Sequence, residues 1–240
     1  MASALVLLHG FTHTGRSWDG VASALPQRYR PRAPDLRGHG RAGDATPVTL
    51  EAVVSDLDRL TQVGRFALAG YSMGGRIALQ YALVRPAQVR RLVLIGASPG
   101  IADSAERAAR LLADERLAGE IERLPIEAFA ARWARTPVLA DQPPEVAARV
   151  HADRLRNTPQ GLARALRGLG TGALPAVWHR LAELQIPVLL LVGERDQKFL
   201  AVARAMAQNI SGARLEIISG AGHAAHLERP EAVAAAIAQE

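Results

Sequence analysis

Short apolar runs alternate with amphipathic stretches through most of the chain. Residues 4–8, 65–69, 89–95 and 186–192 are strand-length runs rich in Leu, Val, Ile and Ala, and the short segments 29–34 and 214–218 read as further strands. Between them lie stretches of helical character. Residues 15–25 are closed by Pro26, and 76–83 meet no breaker before Pro86. Leu50, Val53, Val54, Leu57 and Leu60 keep helical spacing behind a capping Thr49, and further helices are expected over 200–208 and 231–239. Parallel strands need crossover connections, so this alternation predicts an α/β fold with a mostly parallel, doubly wound sheet. The near-continuous apolarity of the strands fits a sheet covered on both faces. The rhythm breaks once. From 101 to 184 the sequence is helix-like, with Pro and Gly interruptions and no convincing strand. The expected organisation is a core of residues 1–100 and 185–240, with a helical lid at 101–184. The lid should lie over the C-terminal strand ends, where open α/β sheets bind ligands.

The strand at 65–69 runs into Gly70-Tyr71-Ser72-Met73-Gly74-Gly75 and then directly into a helix. A G-x-S-x-G sequence between strand and helix describes a nucleophile elbow, a strained turn in which small residues let the two elements approach. The free N–H groups and positive end of the helix point at the serine, where negative charge must be tolerated. Such a serine needs a histidine to take its proton and a carboxylate to fix the histidine's tautomer. Asp196 follows the strand ending at Val192, and His223 follows the strand ending at Ile218. Both should emerge at the same sheet edge as Ser72. The backbone N–H groups of Met73, after the serine, and of Phe11, after His9-Gly10, are the expected pair of oxyanion donors. Arg76 lies four residues after Ser72 on the same helix face and leans toward its N-terminus. An arginine in a covered helix either pairs with a neighbouring acid or waits for a substrate carboxylate.

Composition narrows the partners. At 240 residues the chain suits one domain, with 49% hydrophobic and 22% charged residues. It has no cysteine, which excludes disulfides and thiolate metal sites. No stretch reaches the roughly 18 apolar residues of a membrane span. The opening residues lack the basic segment of a signal peptide, so a cytoplasmic protein is the default expectation. A net charge of +6 raises nucleic acid as a partner, but the arginines are scattered without a basic run. A small acidic substrate stays open; the oligomeric state is not legible. His226 forms H-x-x-H with His223, yet no acidic third ligand is spaced for a metal. Asp35 reads as a turn carboxylate.

Leu8-His9-Gly10-Phe11, Pro34-Asp35-Leu36-Arg37-Gly38-His39-Gly40, Gly70-Tyr71-Ser72-Met73-Gly74-Gly75 and Gly220-Ala221-Gly222-His223 together resemble the α/β-hydrolase superfamily from end to end. The chain order Ser, Asp, His is the one that superfamily uses. The longer motifs Gly193-Glu194-Arg195-Asp196-Gln197-Lys198-Phe199 and Ala221-Gly222-His223-Ala224-Ala225-His226 are similar to those of one family within it. That family is the 2-succinyl-6-hydroxy-2,4-cyclohexadiene-1-carboxylate synthases of menaquinone biosynthesis, lyases that remove pyruvate from an intermediate with three carboxylates. The resemblance implies a cofactor-free reaction with Ser72, Asp196 and His223 as base machinery. It carries Arg110 and Arg156, beside Arg76, to carboxylate-binding positions, and implies pocket roles for Tyr71 and Trp133 and a structural role for His39. Two other functions remain compatible with these motifs: a serine hydrolase of esters or of C–C bonds in diketone acids, and a non-catalytic binding protein of the same fold. The sequence opens almost on the first core strand, so a smaller sheet than the superfamily's usual one is expected.

Overall fold

The computed structural model describes residues 3–61, 64–136, 139 and 142–239. Six strands form one sheet: β1 Ser3–Leu8, β2 Tyr29–Arg32, β3 Phe66–Tyr71, β4 Val89–Ile95, β5 Val188–Gly193 and β6 Arg214–Ile218. Their order is β2-β1-β3-β4-β5-β6, and every neighbouring pair is parallel. All six therefore deliver their C-terminal ends to one edge.

Alternate strand residues build two cores. Val6, Leu8, Leu68, Leu92, Leu94 and Leu190 face α2 (Leu50–Leu60), α3 (Met73–Val84) and α8 (Gln197–Asn209). Leu5, Leu7, Ala69, Val93 and Leu191 face α1 (Asp19–Ala24) and α10 (Pro230–Ala238). This period-2 division is what a strand covered on both faces requires. The expected doubly wound α/β sheet is observed. Two helices differ in extent from the sequence pattern. The helix expected at 15–25 is a 3-10 turn, Gly15–Trp18, followed by the short α1. Helix α8 starts three residues earlier than its apolar pattern, because the Asp196 side chain accepts the Phe199 N–H at 3.3 Å and caps it.

Between β4 and β5 lie α4 (Ser104–Arg123), α5 (Ile126–Trp133), α6 (Pro144–Arg154) and α7 (Pro159–Leu169), with no strand among the described residues. Their own small core is Ala118, Ile121, Phe129, Leu162, Ala163 and Leu166. Helix α7 is the seam: its Ala165 and Leu169, and then Leu174, Val177 and Leu181, belong to the main core. The insertion is pinned over the sheet edge through α6 and the turn after it. Thr14 N–H donates to Asp153 Oδ2 at 2.9 Å, and Asn157 Nδ2 donates to the Thr12 carbonyl at 2.9 Å. Asn157 Oδ1 in turn accepts the Gly40 N–H at 3.0 Å.

The glycines around Ser72 allow β3, α3 and the first loop to touch. A Cβ at Gly70 would overlap the Gly74 carbonyl, and one at Gly74 would overlap the carbonyls of Leu8 and His9. Gly119, inside α4, has open space around its missing Cβ. In urea titrations, Gly74→Ala is expected to lose about 1–3 kcal/mol or more through overpacking. Gly119→Ala is expected to gain roughly 0.5–1 kcal/mol through helix propensity.

Candidate active site

Ser72 stands between β3 and α3 with φ +51° and ψ −110°, a backbone region costly for any residue with a Cβ. Its N–H donates to the Ile95 carbonyl at 2.9 Å, and its own carbonyl accepts the Arg76 N–H at 3.0 Å. The turn is therefore clamped on both sides, to β4 and to the first turn of α3.

His223 and Asp196 meet this serine from the loops after β6 and β5. His223 Nδ1 lies 2.6 Å from Asp196 Oδ2, and Nε2 lies 3.3 Å from Ser72 Oγ. An ionised carboxylate can only accept, so Nδ1–H donates to Asp196 and leaves the bare Nε2 to accept from the serine hydroxyl. Both partners are buried. The imidazole lies between Phe199 and Tyr71, with ring centroids at 4.5 and 5.2 Å, over Gly96, whose φ is +52° and whose missing Cβ leaves the ring its space. Glu228 braces the two loops. Its Oε2 accepts Arg195 Nη2 at 2.6 Å and the Gly222 N–H at 2.9 Å, joining the neighbours of Asp196 and His223. The arrangement can pass a proton from Ser72 to His223 and hold the resulting imidazolium against Asp196.

The N–H groups of Phe11 and Met73 find no acceptor among the described residues; Met73 opens α3 directly after the serine, and Gly74 packs on the His9 carbonyl of the loop that carries Phe11. Phe11 is held by edge-on contacts with Trp133 at 5.3 Å and His39 at 5.8 Å. Trp133, half-buried on α5, thus covers the loop that carries one expected oxyanion donor. Tyr71 is buried and stacks on His223 and on His226, the latter at 4.3 Å. Burial pushes its hydroxyl pKa well up, so it stays protonated.

The arginines divide. Arg76 Nε is buried without a hydrogen-bond partner, and no acid pairs with this side chain among the described residues. Burial, reinforced by the nearby Arg110 charge, pushes its pKa down to about 10. It remains a cation at neutral pH, with Asp114 within electrostatic reach but no carboxylate in contact with it among the described residues. Arg110 Nε donates to the buried Asp114 at 2.7 Å, while Asp114 also accepts the Gly172 N–H. Arg156 is not brought to Ser72. Half-exposed, it approaches Asp153 only at 3.9 Å and lines a cavity with Thr14, Arg16, Asp35 and Arg41. Arg154, two residues earlier, is the arginine directed inward. It is 1% exposed, its Nε donates to Thr12 Oγ1 at 3.3 Å, and one Nη has no partner. The sequence did contain the signal: Val146, Val150 and Arg154 share one face of α6 at four-residue spacing, and Arg156 falls off it.

The sequence matches the Alpha/beta hydrolase family over residues 5–236. The chain belongs to this family. It is thereby an enzyme of the α/β-hydrolase superfamily, and named relatives cover nearly its whole length. A Bacillus subtilis (strain 168) protein that carries the name 2-succinyl-6-hydroxy-2,4-cyclohexadiene-1-carboxylate synthase in provisional form is 37% identical over 95% of this chain and 86% of its own. A Klebsiella pneumoniae synthase of that name is 34% identical over 98% and 92%. The solved structure of MenH from S. aureus superposes with a TM-score of 0.93 at 33% identity, over 98% of this chain and 91% of that one. A thermophilic esterase from Thermogutta terrifontis, solved with malate bound, reaches 0.85 at 28% identity, over 99% and 88%. Among the described residues no group of three or more His, Cys, Asp and Glu is disposed to hold a metal ion, and no helix is long and apolar enough to cross a membrane.

Four other histidines lie buried around the site. His9 donates through Nδ1 to the Gly10 carbonyl at 2.9 Å and accepts the Leu36 N–H at Nε2 at 2.9 Å, which locks it neutral. Burial pushes its pKa down to about 4, and holds His39 and His226 well below the ordinary imidazole value. His13 is lowered too, by burial, against the opposing pull of Asp153. A depressed folded-state pKa gives stability that is complete above the unfolded value near 6.5 and lost as pH falls toward the folded one. Unfolding free energy should therefore fall below about pH 6.5, by up to about 1.4 kcal/mol per pH unit for each imidazole. Urea titrations across this window check it. A flat profile between about pH 6.5 and 5 would contradict it.

Proposed function

We propose that this protein is a lyase that eliminates pyruvate from 2-succinyl-5-enolpyruvyl-6-hydroxy-3-cyclohexene-1-carboxylate, a step of menaquinone biosynthesis. The observation that carries this reading is Arg76. A half-buried guanidinium one helical turn from Ser72, its Nε buried and unpartnered and the one acid within electrostatic reach, Asp114, already bonded to Arg110, is what an enzyme with an anionic substrate needs. Arg154 adds a buried cation with an unpartnered nitrogen, and the exposed Arg110 a further positive charge near Arg76, shared with Asp114. The names of the relatives point the same way.

In this mechanism Ser72 Oγ gives its proton to His223 Nε2 and removes the proton on the ring carbon next to the succinyl ketone. The electron pair passes to the ketone oxygen, where the N–H groups of Phe11 and Met73 donate to the developing enolate. When the enolate collapses, the pair moves through the ring double bond and breaks the C–O bond to the enolpyruvyl group. Proton return through His223 completes pyruvate. Each charge-assisted contact from Arg76 or Arg154 contributes about 1.5–3 kcal/mol to holding the substrate carboxylates.

A serine hydrolase uses the same three side chains, and the Thermogutta esterase makes it the second reading. The arginines separate the two. Arg76→Ala and Arg154→Ala are each expected to lower kcat/KM on the tri-anionic substrate about 10- to 100-fold. Neither should change hydrolysis of a neutral ester by more than about twofold, and Arg156→Ala should leave both reactions within about twofold. Unchanged pyruvate release by Arg76→Ala would remove the basis of the lyase reading.

A further inference from the structure

A separate cavity of about 250 Å³ opens behind the ring of Tyr71, between Arg16–Gly20, α6 and α9 (Ala225–Glu228). Ser72 does not line it. Arg16, Arg149 and Arg156 stand at its rim, all exposed, and His13, His226, Ser17, Val150 and Asp153 are buried in its wall. His226 is 1% exposed, and neither of its ring nitrogens has a hydrogen-bond partner. A neutral imidazole carries one donor and one acceptor, and burying both unsatisfied costs about 1–3 kcal/mol for each unless a ligand or water completes them.

The acids on the cavity wall do not supply that partner. Asp153 is engaged by the N–H and hydroxyl of Thr14 and by His13 Nδ1, leaving only the long 3.9 Å approach to Arg156. Asp19 is the remaining carboxylate, against three guanidinium groups. Arg149 makes only a 3.4 Å contact to the Leu227 carbonyl. The cavity therefore joins an excess of cationic donors at its mouth to an unsatisfied imidazole in its wall.

We propose that this cavity is an accessory binding site for a small oxyanion, a carboxylate or phosphate, distinct from the site at Ser72. Arg149 and Arg156 pair with the anion's oxygens, and the His226 ring supplies an N–H. The volume admits an anion of the size of pyruvate or phosphate with several waters. Trp18 lies 4.6 Å from the His226 ring and lines the adjoining cavity of about 870 Å³, which shares Arg16, Asp19 and Arg156. Its fluorescence should report occupancy. The inference does not depend on the lyase reading.

The test titrates the full chain with sodium pyruvate and, separately, inorganic phosphate at constant ionic strength, reading Trp18 fluorescence and calorimetric heat. The forms compared are wild type, Arg76→Ala and the double variant Arg149→Ala/Arg156→Ala; Trp18→Phe identifies the reporting tryptophan. Saturable binding of at least one anion is expected, kept by Arg76→Ala and weakened at least about tenfold in the double variant. The rim arginines are exposed, so the double variant should melt as wild type does, which separates lost binding from lost folding. Tighter binding of pyruvate identifies a carboxylate site, and tighter binding of phosphate a phosphate site. The proposal is overturned if neither anion gives saturable heat up to about 50 mM. It is equally overturned if binding vanishes in Arg76→Ala and persists in the double variant.

Discussion

The positive φ of Ser72 is sustained by contacts that leave the surrounding chain little freedom. A residue held there costs of order 1–3 kcal/mol, and the turn persists because β4 takes its N–H and α3 its carbonyl. Gly70 and Gly74 let the strand, the helix and the first loop close to distances that any Cβ would forbid. The same closure brings the Phe11 loop beside the serine and points the start of α3 at it. The loops after β5 and β6 then have to deliver Asp196 and His223 to a fixed point. The Glu228 brace to Arg195 and Gly222 and the packing of Phe199 on the imidazole serve that delivery.

A second constraint is electrostatic. A guanidinium is poorly served by a covered helix, yet Arg154 is 1% exposed with one Nη unpartnered, and the half-buried Arg76 has its Nε buried without a hydrogen-bond partner. Burying such a group without a partner costs several kcal/mol, a cost the rest of the fold carries. The helical insertion makes this possible. Its α6 brings Arg154 against the Thr12 loop, and its α4 brings Arg110 and Asp114 within electrostatic reach of Arg76. The fold thus sets Arg76 one helical turn from Ser72 and Arg154 against the loop that follows Phe11.

Much of this was legible in the sequence because strand and turn chemistry are local. Apolar runs marked the four inner strands, and the positions of Ser72, Asp196 and His223 just past three strands announced their convergence at one edge. Where the sequence misled, the information was tertiary. Arg154 and Arg156 are two residues apart in an arginine-rich stretch, and only the phase of α6, set by burial of Val146 and Val150, selects between them. The early start of α8 came from an Asp196 side chain that both caps the helix and holds His223. The merging of residues 174–184 into the main core was hidden for a related reason: their helical pattern does not say which core they face.

The central claim is that Ser72, Arg76 and, from the helical insertion, Arg154 together make a pyruvate-eliminating lyase. The most direct measurement is pyruvate release from freshly generated 2-succinyl-5-enolpyruvyl-6-hydroxy-3-cyclohexene-1-carboxylate, comparing wild type with Ser72→Ala. The account predicts release by the wild type far above the spontaneous rate, and loss of that excess in the variant. Wild-type release at the spontaneous rate, with turnover of simple esters intact, would contradict it.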